Sequence, residues 1–301
     1  MSVLLSGPTV TITAKASPDS DVAFTITVPR ALVCTLSEHF ARAFATGSFI
    51  EGEESAAVLE DVEPWVLRVF GGWLFTQQLA YQQGGPEGMV DEALAQIVDK
   101  AGPEHEIEAA DPVTWPWEAL FAVYQFADQY HTRRLRQAVL EIVQIKTLQL
   151  QPKVYHLPNP ATIAFAANNL PDTSPLRRFL LDVFVHAEAE NFHKHGASDI
   201  AECSARELAI LPSDFLAEGY KLMQRVRAAE ECISCTPPRR VSGSCLGVHG
   251  HTEEDTYTPR EREWCAWHEH DGAEEIQECL AREQAVRWRL GYAGIGGRGI
   301  R

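Results

Sequence analysis

The residues of this chain best suited to chemistry are cysteines and histidines near its C-terminal end. Cys232-Ile233-Ser234-Cys235 carries the two-residue gap that lets both thiolates reach one tetrahedral ion. Later in the chain, Cys265, His268, His270 and Cys279 add further sulfur and nitrogen donors. Four of these six suffice for a closed structural zinc site, most simply Cys232 and Cys235 with Cys265 and either His268 or His270. The spacing matches no standard finger, so two other readings stand beside zinc: a reduced, metal-free tail, and redox chemistry between Cys232 and Cys235. A metal-dependent or redox enzyme built on the cluster is the catalytic alternative, although no general base beside an open metal position accompanies it.

No other motif in the sequence points to catalysis. There is no Gly-x-Gly-x-x-Gly, no phosphate-binding loop and no Gly-x-Ser-x-Gly elbow. The reading is therefore of a protein that is not an enzyme. A formal charge of −16 argues against nucleic acid as a partner, because phosphate binding needs a basic surface to displace counterions. No apolar run approaches the ~20 residues that cross a bilayer, and the first residues lack the basic and apolar regions of a secretory signal. Seven unevenly placed cysteines suit a reducing compartment. The expected location is intracellular, cytoplasmic or nuclear, with no membrane partner.

The elements that must position such residues follow from periodicity. Thr9 to Thr13 and Phe24 to Val28 alternate branched apolar and hydroxyl residues, the pattern of half-buried strands, with turn chemistry between them. They read as a hairpin. Leu32, Leu36, Phe40 and Phe44 recur every four residues and predict one amphipathic helix over 31–44. Ala56 to Leu59 reads as a short strand, and Pro64 opens a helix whose Trp65, Val66, Val69, Phe70, Trp73 and Leu74 form a wide apolar stripe. Residues 82–111 hold eight acidic side chains against Lys100 alone and read as a solvated insertion. Further helices are expected over 117–130, 133–149, 161–168, 176–190, 205–211, 214–229 and 273–290.

The order of these segments resembles the BTB/POZ domain. Ser37-Glu38-His39-Phe40, Gly47-Ser48-Phe49-Ile50-Glu51, Leu59-Glu60-Asp61 and Trp73-Leu74-Phe75-Thr76 match its landmarks in sequence, as do Ala127-Asp128-Gln129-Tyr130 and Leu135-Arg136-Gln137-Ala138-Val139. One departure is Pro29, which stands where a histidine is usual. Ser174-Pro175-Leu176-Arg177-Arg178 and Cys265-Ala266-Trp267-His268-Glu269-His270 resemble the tail of a group of BTB proteins common in filamentous fungi.

The resemblance implies an α/β fold of the α+β kind: a BTB/POZ-like domain at 8–150 with a small sheet and a helical cluster, interrupted by the 82–111 insertion. A mainly helical extension over 151–230, a flexible linker over 231–263 and a Cys/His element with its tail over 264–301 follow. It implies protein partners: a self-associating scaffold or adaptor, most simply a homodimer, with Leu32, Leu36, Phe40, Trp73 and Tyr81 at the interaction surface. The alternative is a substrate adaptor of a cullin-type ubiquitin ligase. That contact is expected to be weak, because Tyr81-Gln82-Gln83 offers neutral amides where good binders carry an acidic side chain. In the same reading Asp128 holds a turn between two helices, and Arg177 and Arg178 find intramolecular or solvated partners.

Overall fold

The computed structural model describes residues 5–17, 23–45, 50–79, 111–149, 158–195, 208–231, 265 and 267–289. They form a mixed α/β structure, mostly helical, with one small three-stranded sheet. The chain divides into two compact units, Met1–Val143 and Gln144–Arg301. Tyr81, the acidic insertion up to residue 110, the linker over 232–263 and the last residues from 290 lie outside the described residues.

In the first unit, β1 (Thr9–Lys15) and β2 (Ala23–Pro29) pair antiparallel with Ile12 opposite Ile26. The period-two pattern explains their orientation: Val10, Ile12 and Ala14 are buried while the hydroxyls of Thr13 and Thr25 meet across the other face at 3.0 Å. Strand β3 (Ala56–Glu60) runs parallel to β1, with Ala56 opposite Thr11, so β1 is the central strand in the order β2-β1-β3.

The helix expected over 31–44 is two helices, α1 (Arg30–Leu36) and α2 (Glu38–Ala43). Ser37 causes the break. Its extended backbone (φ −138°) ends α1, and its Oγ accepts the Phe40 N–H at 3.2 Å to cap α2. The same hydroxyl donates to the Tyr130 carbonyl at 2.6 Å, so it is satisfied although fully buried. The change of axis leaves Leu36 half-buried and turns Leu32 and Val33 inward instead.

A short α3 (Ile50–Glu54) leads into β3, and α4 (Pro64–Thr76) follows with proline in its first turn. Glu63 precedes it without a side-chain cap. The broad stripe of α4 is buried at Val66, Leu67, Val69, Phe70, Trp73 and Leu74. Gly71 is what lets α4 lie close on β2, since a Cβ there would stand 3.3 Å from Ile26 Cγ2. The helix stops at Gln77, which takes a left-handed conformation (φ 54°) and returns its N–H to the Trp73 carbonyl at 2.7 Å.

Helices α5 (Trp117–Gln129) and α6 (Arg133–Gln149) complete this unit, whose boundary falls inside α6. Phe40 is the centre of an aromatic cluster, stacked with Phe44, Phe70 and Tyr130, while Phe126 reaches both Phe70 and Tyr130. Asp128 Oδ1 accepts from Arg136 Nη1 at 2.7 Å across the α5–α6 turn, where His131 adopts φ 48°.

The second unit holds the end of α6 from Gln144, then α7 (Pro160–Asn169), α8 (Pro175–His195), α9 (Ser213–Glu231) and α10 (Ala273–Arg289). Asn159 caps α7 by accepting the Thr162 N–H at 2.9 Å. Ile163, Ala167, Phe184, Val185, Leu211, Phe215 and Leu222 make its core. Beside them, the Arg177 guanidinium is almost wholly buried and bridges Asp172, Asp214 (2.7 Å) and Glu218 (3.9 Å), so its partners are intramolecular. Among the described residues, no helix is long and apolar enough to cross a membrane.

Candidate metal centre

Three of the five residues expected at the interaction surface lie in the core of the single chain. Leu32, Phe40 and Trp73 are core residues of the first unit, with Phe40 and Trp73 at 0% and 1% exposure. The apolar periodicity that suggested a face in need of an outside partner is covered from within, by the sheet, α4 and the aromatic cluster. This corrects their assignment as interaction residues. Leu36 is half-buried and Tyr81 lies outside the described residues. Among the described residues of this unit, the large apolar side chains left exposed are instead Leu5, Val58 and Phe75.

The C-terminal donors, in contrast, converge. Trp267 fixes the stretch that carries three of them: it is buried and meets the Phe179 ring of α8 edge-on at 5.1 Å. That anchor draws Cys265, His268 and His270 onto α10, where Cys279 faces inward with 0% exposure. The donor atoms of Cys265, His270 and Cys279 all lie within 4.8 Å of one another. Tetrahedral zinc with bonds of ~2.0–2.3 Å sets its donors roughly 3.3–3.8 Å apart, a spacing that small side-chain rotations here would reach. Cys232 and Cys235 lie outside the described residues.

His268 belongs to the same cluster. It is buried, its Nδ1 stands 3.0 Å from Cys279 Sγ, and its Nε2 stands 3.0 Å from Gln144 Oε1. The amide oxygen can only accept, so Nε2 carries a proton and donates to it. His270 packs near His268, with ring centroids 5.9 Å apart, and both its ring nitrogens are buried without a hydrogen-bond partner. Buried polar atoms are rarely left so, since each costs the desolvation it has suffered.

Electrostatics prepares the cysteine. A hydrogen bond with Cys265 holds the Cys279 thiol well below the usual thiol range, at about 4. Burial opposes this, and the hydrogen bond to His268 with the charges of His268 and His270 reinforces it. The thiolate is the form that binds metal. Cys34, in the first unit, is the contrasting case: burial pushes its thiol up, and its Sγ donates to the Phe40 carbonyl.

Sequence reading found the cysteine and histidine donors through their residue types but missed Gln144. A glutamine inside an amphipathic helix, 124 residues before His268, carries no signal of its own. Set against known proteins, the chain matches no family model and no curated protein.

Proposed function

We propose that this chain is a protein-interaction module of the BTB/POZ kind, a self-associating scaffold or adaptor that acts by binding rather than by catalysis. The observation that carries this reading is topological. A hairpin, a helical stretch, a third strand and a Trp-containing helix follow one another in the order that the resemblance implies. Its landmark residues also have the structural tasks that such an order requires. Ser37 caps α2, Phe40 and Trp73 fill the core, and Asp128 ties α5 to α6 through Arg136.

Because Leu32, Phe40 and Trp73 are spent on the core, partner contact falls to side chains such as Val58 and Phe75, which are 60% and 49% exposed. Light scattering on the full chain is expected to show a dimer at micromolar concentration, shifted toward monomer by Phe75→Ser together with Val58→Ser. A monomer at ~100 μM would overturn self-association. Titration with a cullin N-terminal domain separates scaffold from ligase adaptor: submicromolar affinity would favour the adaptor.

A second proposal concerns the other unit. Cys265, His270 and Cys279 hold a structural zinc ion, for which soft thiolate and imidazole donors are the preferred set. The orphaned ring nitrogens of His270 carry this reading, since a cation supplies the partner that no hydrogen bond does. Protein purified without chelator should contain about one equivalent of zinc by elemental analysis, and its absence would refute the site.

A further inference from the structure

We infer that the site is closed by four donors, Cys265 Sγ, His268 Nδ1, His270 and Cys279 Sγ, and that Gln144 is the positioning residue that sets His268 to bind. The inference rests on the zinc reading above and goes beyond it by naming the complete ligand set and its support.

The three donors Cys265, His270 and Cys279 leave a tetrahedral ion one short, structural zinc sites keep no open position, and Cys279 is shared with a second set of close donors that contains His268 and Glu141. His268 is the group at hand. Its Nδ1 is 3.0 Å from Cys279 Sγ, and the ring is buried in the same cluster. The Gln144 contact decides how that ring is used. With Nε2 turned to Gln144 Oε1, Nδ1 is the ring nitrogen that faces Cys279 Sγ and is placed to take a cation shared with it. At 3.0 Å from each other, the two atoms can turn toward one ion and bind it together. Metal-bound histidines are characteristically held in this way, by an acceptor on the ring nitrogen away from the ion.

Charge supports the set as well. Two thiolates and two neutral imidazoles around a divalent ion sum to zero, the balance that a buried site favours over a net charge. Four donors from 265–279 then need nothing from Cys232 or Cys235. The ion ties the Cys265–His270 stretch to α10 and, through Gln144, to the end of α6.

The test uses the full chain, stripped with chelator and reloaded with zinc or with cobalt(II), whose thiolate charge-transfer absorption reports the number of bound sulfurs. One equivalent should bind with the intensity of two thiolates, and Cys232→Ser with Cys235→Ser should leave affinity and spectrum unchanged. His268→Ala should weaken binding strongly and alter the ligand-field bands. Gln144→Ala should weaken it by about 10–100-fold with the two-thiolate intensity retained, and Gln144→Glu, which keeps an acceptor oxygen, should restore it. A wild-type protein that binds no metal refutes the zinc reading itself. Metal that survives His268→Ala unchanged, or is lost with Cys232 and Cys235, leaves zinc standing and overturns this ligand set. Gln144→Ala with wild-type affinity removes Gln144 from it.

Discussion

The two units close in opposite ways. The first packs rings on rings: Phe40, Phe70, Trp73, Phe126 and Tyr130 form one apolar cluster, and the polar atom at its edge, Ser37 Oγ, is satisfied by backbone on both sides. The C-terminal part of the second gathers thiols, imidazoles and an amide near Trp267. An apolar core offers a metal ion nothing to bind. A polar one depends on what occupies it, so a change of metal concentration should reach the second unit and pass the first by.

The largest effect that would sharpen this contrast is in the first unit. Trp73→Ala deletes a fully buried indole and should cost about 3–5 kcal/mol in chemical denaturation, while zinc content stays at the wild-type value. Loss of metal in a folded Trp73→Ala protein would break the comparison.

Next in size is the charged lock of the second unit. Arg177→Met removes the cation but leaves Asp172 and Asp214 well exposed and free to hydrate, so the loss should be about 1–3 kcal/mol, below that of stranding a buried charge. Asp214→Asn should cost less again, because an exposed carboxylate is screened by solvent and contributes little. The Arg177 contact holds the Asp214 carboxyl below its usual range. Stability from that pair is therefore present above the ordinary carboxylate value and is lost as pH falls below it. Equal losses for Arg177→Met and Asp214→Asn would show that the lock is a single pair.

The smallest effect belongs to Tyr130, whose hydroxyl is pushed up to about 12 by burial, with the charge of Asp61 adding to it. Between the ordinary tyrosine value near 10 and that point, the unfolded chain releases the proton and the folded one keeps it. Stability of the first unit should decline over that interval. Tyr130→Phe keeps the ring stacking and should flatten the decline, which pH-dependent denaturation would read directly. A decline of the same slope in both proteins would remove Tyr130 as its source.

Much of the fold was legible where one periodicity dominates. Alternation over Thr9 to Thr13 marked β1 on its own, and Pro64 ahead of a broad apolar stripe marked α4. The break at Ser37 was harder to see, because Leu32, Leu36, Phe40 and Phe44 keep a four-residue beat across it. Only the capping geometry shows that the beat belongs to two axes. The same ambiguity misplaced Leu32, Phe40 and Trp73. A buried residue and an interface residue have the same chemistry, and what covers them is a tertiary fact. At the candidate metal centre, donor types within fifteen residues of one another were readable, whereas the His268–Gln144 bond spans 124 residues and depends on where α6 ends up.

The parallel pairing of β1 with β3 has a kinetic side. Thr11 must find Ala56 after β2, α1, α2 and α3 have been laid down between them, while the β1–β2 hairpin needs only a short turn. Closing the larger loop costs more chain entropy before any contact repays it. Docking of β3 is therefore expected to follow the hairpin on the route to the first unit. Substitutions that weaken β3, such as trimming Leu59, should speed unfolding more than they slow folding. In that case the strand that completes the sheet is also expected to be the first to leave it.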